Sequence, residues 1–296
     1  MPPGYVVARP VFELSLQGRP WRLGERTLVM GVLNVTPDSF SDGGRLTDAD
    51  AALAHGLALF ESGADVVDVG GESTRPGGAG RVPVEEELRR VVPVVARLKA
   101  AGAGLLSVDT SRAAVARAAL DAGAAMVNDV SGLRFDPGLT PLLAERGVPA
   151  VLMHLRGDFA GMHAPQKYAD LAGELAAELA AVVARAEAGG VRRSQLVLDP
   201  GLGFSKDAAQ TLEALRRLPE LHALGCPLLV GPSRKSFIGR ILDAAPGERL
   251  MGTAAAVAAA IFAGAHLVRV HDVHEMVQVA RVCDALRAAP GGPAAC

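Results

Sequence analysis

LLSVDTSRAAVARAALDAGAAMVND, residues 105–129, contains the unit from which the rest of the chain is built. A short β-branched apolar run ends at Asp109, a segment with helical spacing follows from Ser111, and a second apolar run ends at Asn128. This order predicts two parallel strands joined by a helix. Near-continuous apolar strands of this kind are typical of a parallel sheet that is covered on both faces.

The same unit recurs along the chain without a linker or a change of composition. The apolar runs cover residues 28–33, 64–67, 105–108, 125–127, 150–153, 196–198, 228–230 and 267–268, and most of them end at a polar residue: Asn34, Asp68, Asp109, Asn128, His154, Asp199 or Arg269. Eight strands that alternate with helices predict a single-domain α/β fold, a (β/α)8 TIM barrel over residues 26–290. An open, doubly wound sheet is the alternative. We expect a short N-terminal β-hairpin in residues 1–25 and a disordered tail in residues 291–296.

The composition describes a globular protein of 296 residues, 50% hydrophobic and 21% charged. A formal charge of −2 gives no net positive field for a nucleic acid. Cys226, Cys283 and Cys296 are too few and too far apart for a disulfide framework, which favours a reducing compartment. The N-terminus lacks the pattern of a signal peptide, and the most apolar segment, residues 253–262, is too short to cross a membrane. We therefore expect a cytoplasmic protein with neither a nucleic-acid nor a membrane partner.

Polar residues at the strand ends are candidates for a functional site, because the carboxyl ends of barrel strands meet at one rim. Each of them taken alone is more often a turn former or a helix cap. The chain has only two asparagines, however, and both Asn34 and Asn128 stand at strand ends. This coincidence argues against random turn usage.

Two loops carry residues that suit a phosphate group. GGESTRPGG, residues 70–78, combines glycines with hydroxyl groups and Arg75, although a flexible solvated loop is an equal alternative. GPSRKSFIG, residues 231–239, lies between a strand and a helix. Arg269 and His271 are separated by one residue and therefore share a face of the last strand. These features predict a site for a polyphosphate.

NVTPDSFSDGG, residues 34–44, has no helical period and is predicted to be a lid over this rim. Asn34 and Asp38 offer hard oxygen ligands for Mg²⁺ if a substrate phosphate completes the shell. The spacing of His154 and His163 does not favour zinc. There is no G-x-S-x-G serine, strand-end cysteine or pair of strand-end glutamates, so we expect no covalent intermediate. The site is predicted to position two substrates and to neutralise a leaving group.

Eight motifs stand in order between residues 29 and 273. They are VMGVLNVTPDSFSDGG (29–44), VDVGGESTRPG (67–77), SVDTSR (107–112), VNDVSG (127–132), LMHLRG (152–157), LDPGLGFSK (198–206), GPSRKSFIG (231–239) and RVHDV (269–273). Together they resemble the dihydropteroate synthase family. The resemblance implies an Mg²⁺-dependent transferase that joins 6-hydroxymethyl-7,8-dihydropterin diphosphate to 4-aminobenzoate, giving 7,8-dihydropteroate and pyrophosphate for folate synthesis.

The resemblance also implies roles for individual residues. The pterin would be held by Asp109, Asn128, Met153, Asp199, Gly203 and Lys235. The diphosphate would be bound by Asn34, Thr74, Arg75, Arg269 and His271, with Asn34 also binding Mg²⁺. The 4-aminobenzoate would be bound by Thr74, Arg75, Pro76, Phe204, Lys235 and Ser236. The catalytic residues would be Asp109, Asp199, Lys235, Arg75 and Asp38, acting in an SN1-like loss of pyrophosphate. Sulfonamides, which resemble 4-aminobenzoate, are expected inhibitors, and a homodimer is expected.

The chain departs from the family pattern after LMHLRG, where it reads DFAGMH, residues 158–163, in place of a stretch that contains Thr-Pro. We expect this loop to lie away from the eight motifs. Two other functions compete with the synthase: a methyltetrahydrofolate-dependent methyltransferase, which has no leaving diphosphate, and an inactive pterin-binding paralogue. The SRKS, TRPG and RVH segments favour the synthase, because they supply the groups that a diphosphate needs.

Overall fold

The structure, a computed structural model, describes residues 6–16, 19–36, 45–73 and 81–288. The strands are β1 (Phe12–Leu16), β2 (Arg19–Leu23), β3 (Leu28–Asn34), β4 (Val66–Gly70), β5 (Leu105–Asp109), β6 (Met126–Asp129), β7 (Ala150–Met153), β8 (Leu196–Asp199), β9 (Leu229–Val230) and β10 (Leu267–Val270). The α-helices are α1 (Arg45–Glu61), α2 (Val84–Ala100), α3 (Ala113–Ala122), α4 (Leu139–Arg146), α5 (Leu171–Ala188), α6 (Ala208–Arg216), α7 (Ser236–Leu242), α8 (Leu250–Phe262) and α9 (Val273–Ala288). Within these described ranges, 3-10 helices lie at Arg193–Gln195, Leu218–Leu224 and Pro246–Glu248.

Strands β3 to β10 form one parallel sheet in the order β8-β7-β6-β5-β4-β3-β10-β9. The two ends of this sheet meet, because Leu198 of β8 pairs in parallel with Leu228, the residue before β9. The backbone N–H of Leu198 also donates to the carbonyl of Pro227 at 2.9 Å. The sheet therefore closes into the expected (β/α)8 barrel, and the open, doubly wound alternative is wrong.

Alternation along the strands decides which side chains enter the barrel. An inner cluster contains Met30, Val66, Met126, Val151, Val197, Leu229 and Leu267. Because the side-chain period of a strand is two, a residue two or four positions further along a strand points to the same interior. Asn34, Asp68, Asn128, Asp199 and Arg269 all stand at such positions. The barrel mouth is therefore polar directly above an apolar layer.

The N-terminal hairpin covers the opposite end of the barrel. Strands β1 and β2 pair antiparallel, with Leu14 opposite Trp21. Leu14 and Leu23 are 1% and 0% exposed and belong to the inner cluster, where they meet the first residues of the barrel strands. The hairpin thus adds to the core of the barrel at the end away from the polar mouth.

Truncating the hairpin's buried leucine tests this packing. We expect Leu14→Ala to lower the free energy of unfolding by about 3 kcal/mol, because it deletes a buried side chain and leaves a cavity. Urea denaturation measures the loss. Glu13→Ala changes the exposed neighbour on the same strand and should alter stability by less than about 0.5 kcal/mol. Equal losses in both variants would contradict a core role for Leu14.

Some element boundaries differ from the sequence-based prediction. Strand β4 continues two residues past Asp68, which therefore lies inside the strand rather than at its end. Helix α3 begins at Ala113 rather than at Ser111, and its N-terminus is capped by the carboxylate of Asp136, which accepts the Ala113 N–H at 2.8 Å. The predicted disordered tail lies outside the described residues. Among the helices that the structure describes, none is long and apolar enough to span a membrane.

Candidate active site

One guanidinium group joins two carboxylates in the mouth of the barrel. Arg269 on β10 donates its Nε–H to Asp68 Oδ2 and an Nη2–H to Asp109 Oδ2, both at 2.7 Å. Asn128 on β6 donates its side-chain N–H to the same oxygen of Asp68 at 2.8 Å. The side chains of Asp68 and Asp109 are 0% and 11% exposed. The network links β4, β5, β6 and β10. Its central carboxylate, Asp68, was a candidate only as a polar strand end, and the resemblance implies no role for it.

Burial raises the pKa of several carboxyl groups at this mouth. It raises the pKa of Asp109 to about 7, against the opposing attraction of Arg269 and with added repulsion from Asp68. Burial also raises the pKa of Asp199, while the Gly201 N–H and Lys235 favour its ionised form. Carboxyl groups that titrate near neutrality are common at functional sites. The raised pKa of Asp109 therefore predicts that the charge of this mouth changes within the physiological pH range.

A second group of residues surrounds the turn that follows β8. Lys235, the residue before α7, donates from Nζ to the carbonyl of Leu202 at 2.5 Å. Its Nζ also lies 4.1 Å from the centre of the Phe204 ring, which is cation–π distance. Asp199 Oδ1 accepts the Gly201 N–H at 2.7 Å. Burial lowers the pKa of Lys235 to about 8, although Asp199 opposes that shift.

Glycine is required at position 203 of this turn. Gly203 has a φ of +74°, and a Cβ at that position would lie 3.2 Å from Lys235 Cδ. The backbone can therefore approach the lysine stem closely only without a side chain. This arrangement brings Asp199, Gly203, Phe204 and Lys235 together, as the resemblance implies.

Lys206 lies behind the same turn and was not singled out from the sequence. Its side chain is buried, and Nζ lies 2.9 Å from His154 Nδ1 and 3.3 Å from each of the carbonyls of Gly201 and Phe204. Burial lowers the pKa of Lys206 to about 7. Lysines are mostly solvent-exposed in proteins, so the sequence gave no indication that Lys206 is buried. Lys206 supports the turn from within the protein.

His154 follows β7 but does not point into the barrel mouth. It stands in phase with Leu152, which packs in the outer core, whereas Met153 stands in phase with Val151 of the inner cluster. His154 Nε2 lies 2.9 Å from Glu178 Oε2 on α5. The polar residue that ends this strand therefore belongs to the outer face of the barrel.

The expectation that residues 158–163 lie away from the motifs is wrong. The ring of His163 stacks on the Phe204 ring, with 4.9 Å between centroids. The Ser205 N–H donates to the carbonyl of Met162 at 2.7 Å, and Met162 packs in one cluster with Met153 and Phe204. The departing loop thus forms a wall of the candidate site, and the contact between Met162 and Ser205 joins residues 43 positions apart, which no local pattern reveals.

The other sequence-predicted residues are placed as follows. Asn34 ends β3 beside Gly70, where a Cβ would lie 3.8 Å from Asn34 Oδ1 and 3.7 Å from Asp109 Oδ2. Ser233 Oγ lies 3.0 Å from His271 Nδ1, and Ser236 is the first residue of α7. Asp38, Thr74, Arg75 and Pro76 lie outside the described residues. Among those described, no three His, Cys, Asp or Glu side chains are grouped so as to hold a metal ion.

Comparisons with known proteins agree with this geometry. The pterin binding enzyme family matches residues 30–271. The dihydropteroate synthase of Synechocystis is 48% identical over 286 residues and the match covers 96% of each chain. The structure of Xanthomonas albilineans dihydropteroate synthase with 4-aminobenzoic acid has a TM-score of 0.88 and 47% identity, and covers 95% of this chain and 100% of that one. A Yersinia pestis dihydropteroate synthase structure with a sulfonamide drug has a TM-score of 0.87 and 42% identity, and the match covers 94% of this chain and 100% of that one. The chain therefore belongs to the dihydropteroate synthase family of pterin-binding enzymes.

Proposed function

We propose that this protein condenses 6-hydroxymethyl-7,8-dihydropterin diphosphate with 4-aminobenzoate, releasing pyrophosphate and forming 7,8-dihydropteroate for tetrahydrofolate synthesis. The observation that carries this proposal is the convergence of Asp109, Asn128, Asp199 and Lys235 on one barrel mouth, from four separate parts of the chain. Membership of the dihydropteroate synthase family supports the same reaction.

The pterin ring suits the inner part of this mouth. Its guanidine-like edge presents N–H groups that can donate hydrogen bonds to the carboxylates of Asp109 and Asp199. The side-chain amide of Asn128 can both donate and accept hydrogen bonds with the ring. Lys235 supplies a cation to the electron-rich part of the ring system. Met153 provides an apolar wall, and Gly203 leaves room for the ring beside the lysine stem. Substrate binding would therefore exchange bonds within the protein for bonds to the pterin.

The diphosphate would lie at the outer part of the mouth. Arg269 uses Nε and Nη2 for Asp68 and Asp109, so its Nη1 donors remain for a phosphate oxygen. His271 stands two residues further along the same strand face and would bind the same group. We assign Thr74 and Arg75 to the diphosphate as well, and Asp38 to the catalytic loop, from the family motifs in which they stand.

Asn34 fits an Mg²⁺ ligand. Its amide oxygen and a carboxylate oxygen of Asp109 both face the space that the missing side chain of Gly70 leaves open. Mg²⁺ commonly takes only one or two protein oxygens and completes its shell with water and substrate phosphate. When bound, the ion would neutralise charge on the departing diphosphate.

The reaction itself needs no protein nucleophile. The C–O bond between the pterin methylene group and the diphosphate breaks, and its electron pair leaves with the diphosphate. Asp109 and Asp199, as carboxylates, stabilise the positive charge that develops on the pterin. The amino nitrogen of 4-aminobenzoate then forms the new C–N bond and releases a proton to water. Phe204, Lys235 and Ser236, with Thr74, Arg75 and Pro76, would hold this second substrate in line for attack.

The test of this function is pyrophosphate release by the purified protein with dihydropterin diphosphate and Mg²⁺, with and without 4-aminobenzoate. We expect stoichiometric formation of pyrophosphate and dihydropteroate only when both substrates are present. Pterin binding without turnover would favour the inactive paralogue. Transfer of a methyl group from methyltetrahydrofolate would favour the methyltransferase. Either result would overturn the proposed function.

Three further properties follow from this proposal. Sulfonamides are inferred to compete with 4-aminobenzoate, since a Yersinia pestis relative has been solved with such a drug. Residues 253–262, which form most of the apolar helix α8, and the outer face of α9 are proposed to contact a second copy of the chain in a homodimer. A cytoplasmic location is proposed, where the two buried cysteines that the structure describes, Cys226 and Cys283, would remain reduced.

The pKa values of Asp109 and Lys235 predict a narrow pH optimum. Asp109 is required as a carboxylate, so kcat/KM for the pterin substrate should rise as the pH passes about 7. Lys235 is required as an ammonium group, so kcat/KM should fall as the pH passes about 8. Initial rates between about pH 5 and about pH 10, roughly two units beyond each of the two pKa values, measure the profile. In Asp109→Asn the rising limb should disappear, and a variant that retains it would refute the assignment.

Replacing Lys206 tests whether this buried lysine supports the turn that follows β8 and carries Phe204. We expect Lys206→Met to raise KM for 4-aminobenzoate by about tenfold, because the carbonyls of Gly201 and Phe204 lose their ammonium partner. The KM for the pterin substrate should change less. Lys167→Met alters an exposed lysine and serves as the control. An equal rise of both KM values, or none, would show that Lys206 does not position this turn.

A further inference from the structure

A half-open cavity of about 300 Å³ lies outside the barrel wall, between the turn after β6, the end of β7 and helix α5. Its charged lining consists of three arginines, Arg134, Arg156 and Arg185, and one carboxylate, Glu178. The remaining titratable group of the lining is His154, and burial lowers the pKa of this imidazole to about 4. The cavity therefore carries a net positive charge at neutral pH.

One of the three guanidinium groups is already neutralised. Arg156 donates its Nε–H to Glu178 at 3.0 Å, an Nη2–H to Glu174 at 2.5 Å and an Nη1–H to the carbonyl of Lys167 at 2.8 Å. Its guanidinium also lies 3.9 Å from the centre of the Tyr168 ring. All three of its nitrogens are thus engaged, and Glu178 is occupied by Arg156 and His154.

Arg134 and Arg185 differ from Arg156 in the partners of their guanidinium groups. Within the described ranges neither makes an ion pair with a carboxylate. Each is held in place by a backbone carbonyl: Arg134 Nε donates to Ser131 at 3.1 Å, and Arg185 Nη1 donates to Gly132 at 2.9 Å. Both side chains are exposed at the edge of the cavity, and the two carbonyls belong to adjacent residues, which brings the two guanidinium groups close to each other. Partial desolvation, and next the charge of Arg185, lower the pKa of Arg134.

The geometry points to a second oxyanion site in this cavity, for a phosphate group that bridges Arg134 and Arg185. A guanidinium group has five N–H donors, and each of these two uses one, which leaves both Nη atoms of Arg134 and Nε and Nη2 of Arg185 for a ligand. A phosphate has enough oxygen atoms to accept hydrogen bonds from two guanidinium groups at once. A carboxylate has only two oxygen atoms, which a single guanidinium group can occupy. The anion would also remove the repulsion between the cations. The volume admits free phosphate or a small phosphate monoester.

The site lies on the other side of the barrel wall from the diphosphate site. His154, which lines the cavity, stands in phase with the outward residues of β7. Met153, which stands in phase with the inner cluster, also lines the cavity and is the one lining residue shared with the proposed pterin site. The two arginines belong to the turn after β6 and to α5, and neither contacts Asp109, Arg269 or His271. The two arginines that would hold the anion are therefore distinct from the residues proposed to bind the diphosphate.

Crystals soaked in selenate, a phosphate analogue that anomalous scattering locates, test the position of the site. We expect a selenium peak between Arg134 and Arg185 in the wild-type protein and in Arg216→Gln, which alters an exposed arginine on α6. Arg134→Gln/Arg185→Gln should lose the peak while retaining its fold. The absence of a peak in the wild type, or its persistence in the double variant, would overturn the proposal.

Equilibrium dialysis with radioactive inorganic phosphate tests the site in solution. The double variant should bind one equivalent fewer than the wild type, or bind it at least about tenfold more weakly. Arg134→Lys/Arg185→Lys, which keeps both charges but removes the forks, should retain part of the affinity. Competition by glycerol phosphate distinguishes a monoester site from one for free phosphate. Equal binding by the wild type and the double glutamine variant would refute recognition by these arginines.

Discussion

Asp199→Asn is expected to reduce kcat/KM for the dihydropterin diphosphate by about 1,000-fold. The substitution keeps the shape of the side chain and an oxygen that can accept the Gly201 N–H, a bond of 2.7 Å in the structure. It removes the negative charge that is proposed to accept pterin N–H bonds and to stabilise the developing cation. Since the bonds to an ionised group strengthen as the cation forms, the loss should fall on kcat as well as on KM.

The matched control for this variant is Asp207→Asn. Asp207 caps helix α6 through a bond of 2.8 Å from the Gln210 N–H, and asparagine is an equally good cap. Rates of pyrophosphate release and circular dichroism should show near wild-type activity and an intact fold for this control. An Asp199→Asn enzyme that folds normally and keeps activity within about tenfold of the wild type would remove Asp199 from the catalytic residues.

The barrel could be predicted because its strands are short, apolar and regularly spaced. The polar strand ends also followed from the alternation of side chains, since Asn128, Asp199 and Arg269 stand two residues beyond members of the inner cluster. The limits of β4 were less clear, because Val69 is apolar on the outer face while Asp68 is polar on the inner one. The sequence therefore suggested that the strand ends at Asp68, whereas the strand continues to Gly70 and is buried on both faces.

Pairing across the barrel could not be predicted. Nothing local to Arg269 shows that its guanidinium meets Asp68 and Asp109, residues 201 and 160 positions away. The burial of Lys206 and the stacking of His163 on Phe204 depend in the same way on how distant loops pack. Motifs identify which residues gather at a rim, whereas the partners of each charge emerge only when the barrel closes.

The second large effect is expected from Arg269→Gln, which should lower the free energy of unfolding by about 3 kcal/mol at neutral pH. The side chain of Arg269 is 21% exposed, and its removal leaves the carboxylates of Asp68 and Asp109 without the cation that pairs with both of them. Burial already raises the pKa of Asp109 to about 7 while Arg269 is present. Without Arg269 that pKa must rise further, because the attraction that opposes the shift is gone.

The pH dependence of this loss has a definite sign. A carboxyl group whose pKa is higher in the folded than in the unfolded protein contributes stability below its unfolded pKa, about 4, and loses that contribution as the pH rises through the folded pKa. The Arg269→Gln variant should therefore be least destabilised near pH 5 and most destabilised near pH 8, two conditions about three units apart that urea denaturation compares directly.

A compensating substitution separates this electrostatic cause from lost packing. Adding Asp109→Asn to Arg269→Gln removes one of the two facing carboxylates, so most of the stability lost at pH 8 should return, although catalysis should not. Arg269→Lys keeps a cation but not the fork that reaches both Asp68 and Asp109, and should fall between the single variant and the wild type. If the loss were independent of pH and unchanged in the double variant, Arg269 would act by filling space, and its ion pairs would contribute nothing to the fold.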